Sequence, residues 1–136
     1  MINKVEFVIP GEPKAKARPR VTKNGFAYTP KQTVEYENWV KQCYLIEHGQ
    51  AMLEGEIKAT IKAFFTIPKS TSKKRKKLMI EGEIRPTKKP DTDNIAKSIL
   101  DSLNGIAFKD DSSVVILEVY KYFDDNPRVE VTLEEI

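Results

Sequence analysis

Residues 90–115 read PDTDNIAKSILDSLNGIAFKDDSSVV, and this stretch decides how the chain is built. Its first half has helical spacing. Projected at about 100° per residue from Asp93, the residues Lys97, Asp101, Asn94 and Ser98 fall at roughly 40°, 80°, 100° and 140°. Ile95, Ala96, Ile99, Leu100 and Leu103 fall between roughly 200° and 340°. One half of the helix is therefore expected to face a core. The other carries Asp93, Lys97 and Asp101 in a row at i, i+4 and i+8. Asn104-Gly105 stops the helix. Asp110 and Asp111 come next, just before the β-rich run Val114 to Tyr122. A connection this short is expected to return the second acidic pair toward Asp91 and Asp93.

Working outward, Arg128 to Leu133 is another β-rich run, joined to the previous one by a hairpin-like turn at Asp124-Asp125-Asn126-Pro127. Upstream, Ile57, Ala59, Ile61, Ala63 and Phe65 alternate with their neighbours, so Glu56 to Ile67 reads as a strand closed by Pro68. A short basic helix, Lys73 to Ile80, follows Ser70 or Ser72 as its cap. Val5, Phe7 and Ile9 share one side of a first strand from Lys4 to Ile9, which Pro10-Gly11-Glu12-Pro13 ends. Asn24-Gly25 is a hairpin turn signal between Val21 and Phe26–Tyr28. Thr29-Pro30 starts a helix to His48, with Tyr36, Trp39, Val40, Cys43 and Tyr44 as its apolar stripe. The order β–(hairpin)–α–β–α–α–β–β predicts one α+β domain over residues 1–136, a mixed β-sheet with helices packed on one face.

The bulk composition agrees with this. The chain has 136 residues, 40% hydrophobic, which suits one domain with its own core. The net charge of +3 permits a polyanionic partner without demanding one. A single cysteine, Cys43, forbids an intrachain disulfide and points to a reducing compartment, the cytoplasm. No run approaches the length of a membrane span, and MINKVEFVIPGEP lacks the apolar segment of a secretory signal.

Three aspartates and a lysine are a sufficient kit for metal-assisted phosphodiester hydrolysis. Carboxylates gathered without a cation repel one another and partly protonate. Mg²⁺ held by two or three of them supplies an activated water and neutralises a crowded phosphate. A nearby ammonium steadies the developing charge. A plainer account stands beside this one. An Asp at a helix start is a favoured cap, Asp93 and Lys97 make an ordinary surface pair, and Asp110-Asp111 is a polar turn. An EF-hand loop from Asp91 is ruled out by Ala96 and Ser102 at its sixth and twelfth places. An aspartyl-phosphate phosphatase is disfavoured because its Asp-x-Asp pair follows a hydrophobic strand. Here the pair follows Thr87-Lys88-Lys89-Pro90.

The pattern Pro90-Asp91-x-Asp93-Asn94-x-x-Lys97-x-x-x-Asp101-x-Leu103, then Gly105-Ile106 and Asp110-Asp111, resembles the RusA family of Holliday-junction resolvases. Gly11-x-Pro13-x-x-Lys16-x-Arg18-Pro19-Arg20 and Tyr28-Thr29-Pro30 resemble the branch found in prophages of Gram-positive bacteria. The resemblance implies a mixed α/β fold, a homodimer, and paired symmetric nicks in four-way DNA junctions with Mg²⁺ or Mn²⁺. It assigns metal binding and catalysis to Asp91, Asp93 and Asp111, with Lys97 as the essential lysine and Asp101 and Asp110 as supporting positions. The basic N-terminal segment replaces a different loop of the best-known members, which leaves the branched substrate open. A flap nuclease, or a recombination accessory that grips DNA without cutting, are the alternatives.

Two basic runs free of acids are candidate phosphate contacts. They are Lys14, Lys16, Arg18, Arg20 and Lys23, and then Lys69, Lys73, Lys74, Arg75, Lys76 and Lys77. Lys88 and Lys89 flank the acidic cluster and are expected to hold the scissile strand. A solvated charged face is the plainer reading of both runs. Trp39 is expected in the core or a dimer interface, His48 at a cap or on the surface, and Cys43 as an inert small hydrophobe.

Overall fold

The computed structural model describes residues 3–17 and 20–136. Strand β1 (Lys4–Pro10) buries Val5, Phe7 and Ile9 and exposes the residues between them. After it come the two-residue strands β2 (Arg20–Val21) and β3 (Ala27–Tyr28), which pair as the expected ribbon, and helix α1 (Lys31–His48). Strand β4 (Ile57–Thr66) leads through α2 (Lys73–Ile80) and α3 (Thr92–Leu103) to β5 (Val114–Asp124) and β6 (Arg128–Glu135).

The main sheet has the order β1-β6-β4-β5. β4 and β5 run parallel, and the other neighbours are antiparallel. A parallel pair needs a long crossover, and the segment carrying α2 and α3 is that crossover. α1 and α3 pack on one face, where Ile57, Ala59, Ile61, Ala63 and Phe65 of β4 and Val129, Val131 and Leu133 of β6 are buried. The opposite face carries Lys58, Thr60, Lys62 and Phe64, all at least partly exposed. This is the α+β layout read from the sequence. Among the described residues no helix is long and apolar enough to cross a membrane.

Two readings need correction. β5 and β6 do not form a hairpin: β4 lies between them, pairing Lys62 with Tyr120 on one side and Glu130 on the other. The short turn at 125–127 steps across the end of β4. Turn residues alone do not say whether the two strands become neighbours. Secondly, the solvent half of α3 is narrower than projected. Ser98 and Ser102 are buried, because α3 packs on α1 as well as on the sheet. The Ser102 hydroxyl donates to the Ser98 carbonyl one turn back, so its burial leaves no donor unpaired.

The two sheet edges are treated differently. On β1, Trp39 Nε1 donates to the Pro10 carbonyl at 2.9 Å, and His48 Nε2 lies 2.7 Å from the Glu6 carbonyl. Residues of α1 thus occupy carbonyls that would otherwise template pairing. Edge protection is the role of both side chains, which periodicity alone did not reveal. The β5 edge shows Val115, Ile116 and Leu117 exposed at 54%, 43% and 46%.

Candidate active site

α3 sets the geometry. Ile95, Ile99 and Leu103 anchor it in the core, which leaves Asp93, Lys97 and Asp101 along its outer surface. Asp91 occupies the N-cap position with extended backbone, yet its side chain makes no capping hydrogen bond. Asp93 and Lys97 form no ion pair with each other. Neither the cap bond nor the ion pair is made, although Asp93 stands in the first turn, where the helix dipole favours an acid. Asp91, Asp93 and Lys97 are all exposed.

The second acidic pair divides its work. Asp110 caps the turn of 3₁₀ helix at Asp111–Ser113, accepting from the Ser112 backbone N–H at 3.1 Å. Hydrogen bonds from Ser112 hold its carboxyl below the usual range. Here the polar-turn reading is right. Asp111 behaves oppositely. Desolvation, then the charges of Asp110 and Asp101, push its carboxyl up. Its backbone N–H donates to Oδ1 of Asn104 at 2.8 Å, which pins it beside the C-terminus of α3. Asn104 read only as a helix stop in the sequence, and its side chain proves to be a fixing point for the acidic turn.

The structure therefore brings Asp111 together with Asp101. It does not bring Asp111 to Asp91 and Asp93. Asp93 precedes Asp101 by more than two turns, about 12 Å of rise, and Asp91 lies further out. The expected convergence fails because the loop after α3 turns back locally, through Asn104 and the Gly105 N–H bond to the Phe108 carbonyl, and delivers Asp111 to the near end of the helix. Among the described residues, no three His, Cys, Asp or Glu side chains of the chain are gathered closely enough to hold a metal ion. The chemistry of the donors nonetheless suits a hard divalent cation. They are all carboxylate oxygens, and one of them is destabilised by its acidic neighbours.

Lys16 enters from the N-terminal loop. Its Nζ lies 2.8 Å from Asp101 Oδ2 and 3.6 Å from Glu37 Oε1 of α1. The hydrogen bond to Asp101 keeps the ammonium protonated above its usual range. Lys16 was expected among the phosphate contacts, but its charge is engaged within the protein. Lys14, Arg20 and Lys23 of the same loop are exposed, and Arg18 lies outside the described residues. On α2, Lys73, Lys74, Arg75 and Lys77 are exposed and Lys76 pairs with Asp125. Lys88 and Lys89 are exposed just ahead of Asp91, and the Lys88 carbonyl accepts from Lys121 Nζ on β5.

Comparison with known proteins bears on this arrangement. The chain matches the family Endodeoxyribonuclease RusA over residues 10–134. It is 36% identical over 137 residues to an uncharacterized protein of Bacillus subtilis (strain 168), YqaN, covering 97% of this chain and 96% of that one. The match runs from the end of β1 to the end of β6 and through every carboxylate described above, so this chain belongs to the RusA family of endodeoxyribonucleases.

Proposed function

We propose that the protein is a homodimeric, Mg²⁺-dependent endonuclease that resolves Holliday junctions by paired symmetric nicks during DNA recombination and repair in the cytoplasm. The observation that carries this is the pair Asp91 and Asp93 at the start of α3, which neither a side-chain cap nor an ion pair accounts for, with Asp101 and the partly buried Asp111 at the other end of that helix, in a chain of a nuclease family. Asp91, Asp93 and Asp111 would hold Mg²⁺, with Mn²⁺ able to substitute. When bound, the metal supplies an activated water and neutralises charge at the phosphate. Lys97 stands between Asp93 and Asp101, where its ammonium can hold a phosphate oxygen. The free cations of α2, the N-terminal loop and Lys88–Lys89 would grip the backbone, which needs no base-reading element.

A second copy completes the site. Asp111 and the Asp91–Asp93 pair are at opposite ends of α3, and β5 presents an open apolar edge at 115–117. If a second β5 adds antiparallel about a two-fold axis near Ile116, position 111 of one copy falls opposite Lys121 of the other. Lys121 holds the Lys88 carbonyl, close ahead of Asp91 and Asp93. Each site would then draw Asp111 from one protomer and Asp91 and Asp93 from the other. Two such sites related by a two-fold axis suit a junction of approximate two-fold symmetry.

The test compares wild type with Asp93→Asn on a synthetic four-way junction. Expected are cleavage by wild type with Mg²⁺ only, none with Ca²⁺, and junction binding by both proteins. Cleavage surviving in the variant would remove Asp93 from the reaction. Linear duplex cut as fast as the junction would end the resolvase reading and leave a nuclease.

A further inference from the structure

Among the described residues of the N-terminal basic run, Lys16 is the one whose ammonium forms an ion pair within the protein, and what it binds is the acidic site. It links three elements: the loop that carries it, Glu37 on α1 and Asp101 on α3, a residue 85 positions away. All three side chains are between 20% and 25% exposed, so the contact is partly shielded from solvent. Asn104, which closes the same helix, holds the Asp111 backbone N–H at 2.8 Å and so sets Asp111 beside Asp101. The neighbours of Lys16 in the loop, Lys14, Arg20 and Lys23, are exposed and free to take phosphate.

An ammonium and a divalent cation have competing claims on one carboxylate pair. Whether the cation touches Asp101 itself or only Asp111, a positive charge at this distance weakens its binding by simple repulsion. The same ammonium is also attracted to phosphate, and the exposed cations Lys14, Arg20 and Lys23 around it would draw a DNA backbone to this loop. We propose that Lys16 is a positioning residue that acts as resident counter-ion of the Asp101–Asp111 pair, and that DNA phosphate draws it away, so that DNA and the divalent cation bind cooperatively. This rests on the nuclease reading above. By reciprocity, whatever DNA adds to cation affinity, the cation adds to DNA affinity.

The test uses calorimetric Ca²⁺ titration of the full-length protein, with and without a four-way junction, because Ca²⁺ is expected to occupy the site without supporting cleavage. In wild type, the junction should tighten Ca²⁺ binding. In Lys16→Met and Lys16→Gln, Ca²⁺ should bind the free protein roughly three- to tenfold more tightly than wild type, and the further gain from DNA should shrink. Lys16→Arg keeps the charge and should behave as wild type. Unchanged Ca²⁺ affinity in folded Lys16→Met or Lys16→Gln would overturn the proposal, as would a DNA gain equal to that of wild type. Melting curves establish folding, and Gln serves if Met does not fold. The two readings fail separately. Wild type that does not cut with Mg²⁺ removes the nuclease function, whereas wild type that cuts while the Lys16 variants bind Ca²⁺ as it does removes only the role of Lys16.

Discussion

The guanidinium of Arg128 lies over the ring of Phe64, 3.9 Å from its centroid, at the point where the chain crosses from β5 to β6 past the end of β4. The same group bonds Asp124 at 2.5 Å, Glu130 at 2.8 Å and the Asn126 carbonyl at 2.8 Å. One side chain thus fastens the turn, both flanking strands and the strand they straddle. Arg128→Ala strips a ring of its cation and leaves two carboxylates without a partner, at an expected cost of about 2 kcal/mol. Urea unfolding measures it. A loss below about 0.5 kcal/mol would mean that the cluster is an ordinary surface ion pair.

The Asp124 end of that cluster sets a pH dependence. Partial burial pushes its carboxyl up, but the hydrogen bond and charge of Arg128 outweigh burial, and the net shift is down. A carboxyl depressed in the folded state stabilises fully above its unfolded pKa of about 4, and that contribution disappears as pH falls through the lower folded value. Asp124→Asn should therefore be less stable than wild type at pH 6, and the gap should close as pH drops below about 4. A gap that stays constant over that range in urea midpoints would mean that Asp124 contributes shape and not charge.

Tyr36 carries the opposite kind of polar group. Its ring is buried on the inner face of α1, and its hydroxyl forms no well-aligned hydrogen bond among the described residues, the Lys14 backbone being at most a weak partner. Burial pushes the phenol well above its usual range. An unpaired buried hydroxyl costs stability, so Tyr36→Phe should be neutral or more stable by up to about 1 kcal/mol. Thermal and urea unfolding decide it, and a clear destabilisation would reveal a partner for the hydroxyl.

These cases mark what local pattern can and cannot carry. The spacing of Ile95, Ile99 and Leu103 and the alternation of Ile57 through Phe65 located helix and strand within a residue or two, because burial of one face imposes the period directly. The row of Asp93, Lys97 and Asp101 along one side of α3 was legible for the same reason. The place of Asp111 relative to that row was not. Where Asp111 lands depends on how the loop after Leu103 folds back, and Asn104 decides that through one hydrogen bond. The pairing of Lys16 with Asp101 spans 85 positions and leaves no periodic trace, so a lysine inside a basic run read as a phosphate contact. The placing of β4 between β5 and β6 is likewise a property of the whole sheet.

The separation of Asp111 from Asp91 and Asp93 gives the sharpest test of the dimer. If each site takes Asp111 from one protomer and Asp93 from the other, Asp93→Asn and Asp111→Asn are both inactive alone but complement when mixed. In a mixed dimer, the Asp93→Asn protomer supplies an intact Asp111 to the intact Asp93 of its partner, which makes one whole site and one doubly damaged site. Random exchange of subunits yields about half mixed dimers, so single nicks in a four-way junction should return at roughly a quarter of the wild-type site count, with few paired cuts. Leu117→Lys, which places a charge on the exposed β5 edge, should give a folded monomer that neither cuts nor complements. Sedimentation fixes the oligomeric state, and denaturing gels of both junction strands count the nicks. Mixtures as inactive as their components, with exchange demonstrated by labelled subunits, would place all the carboxylates of a site on one chain and require the loop carrying Asp111 to rearrange toward Asp91 before cleavage.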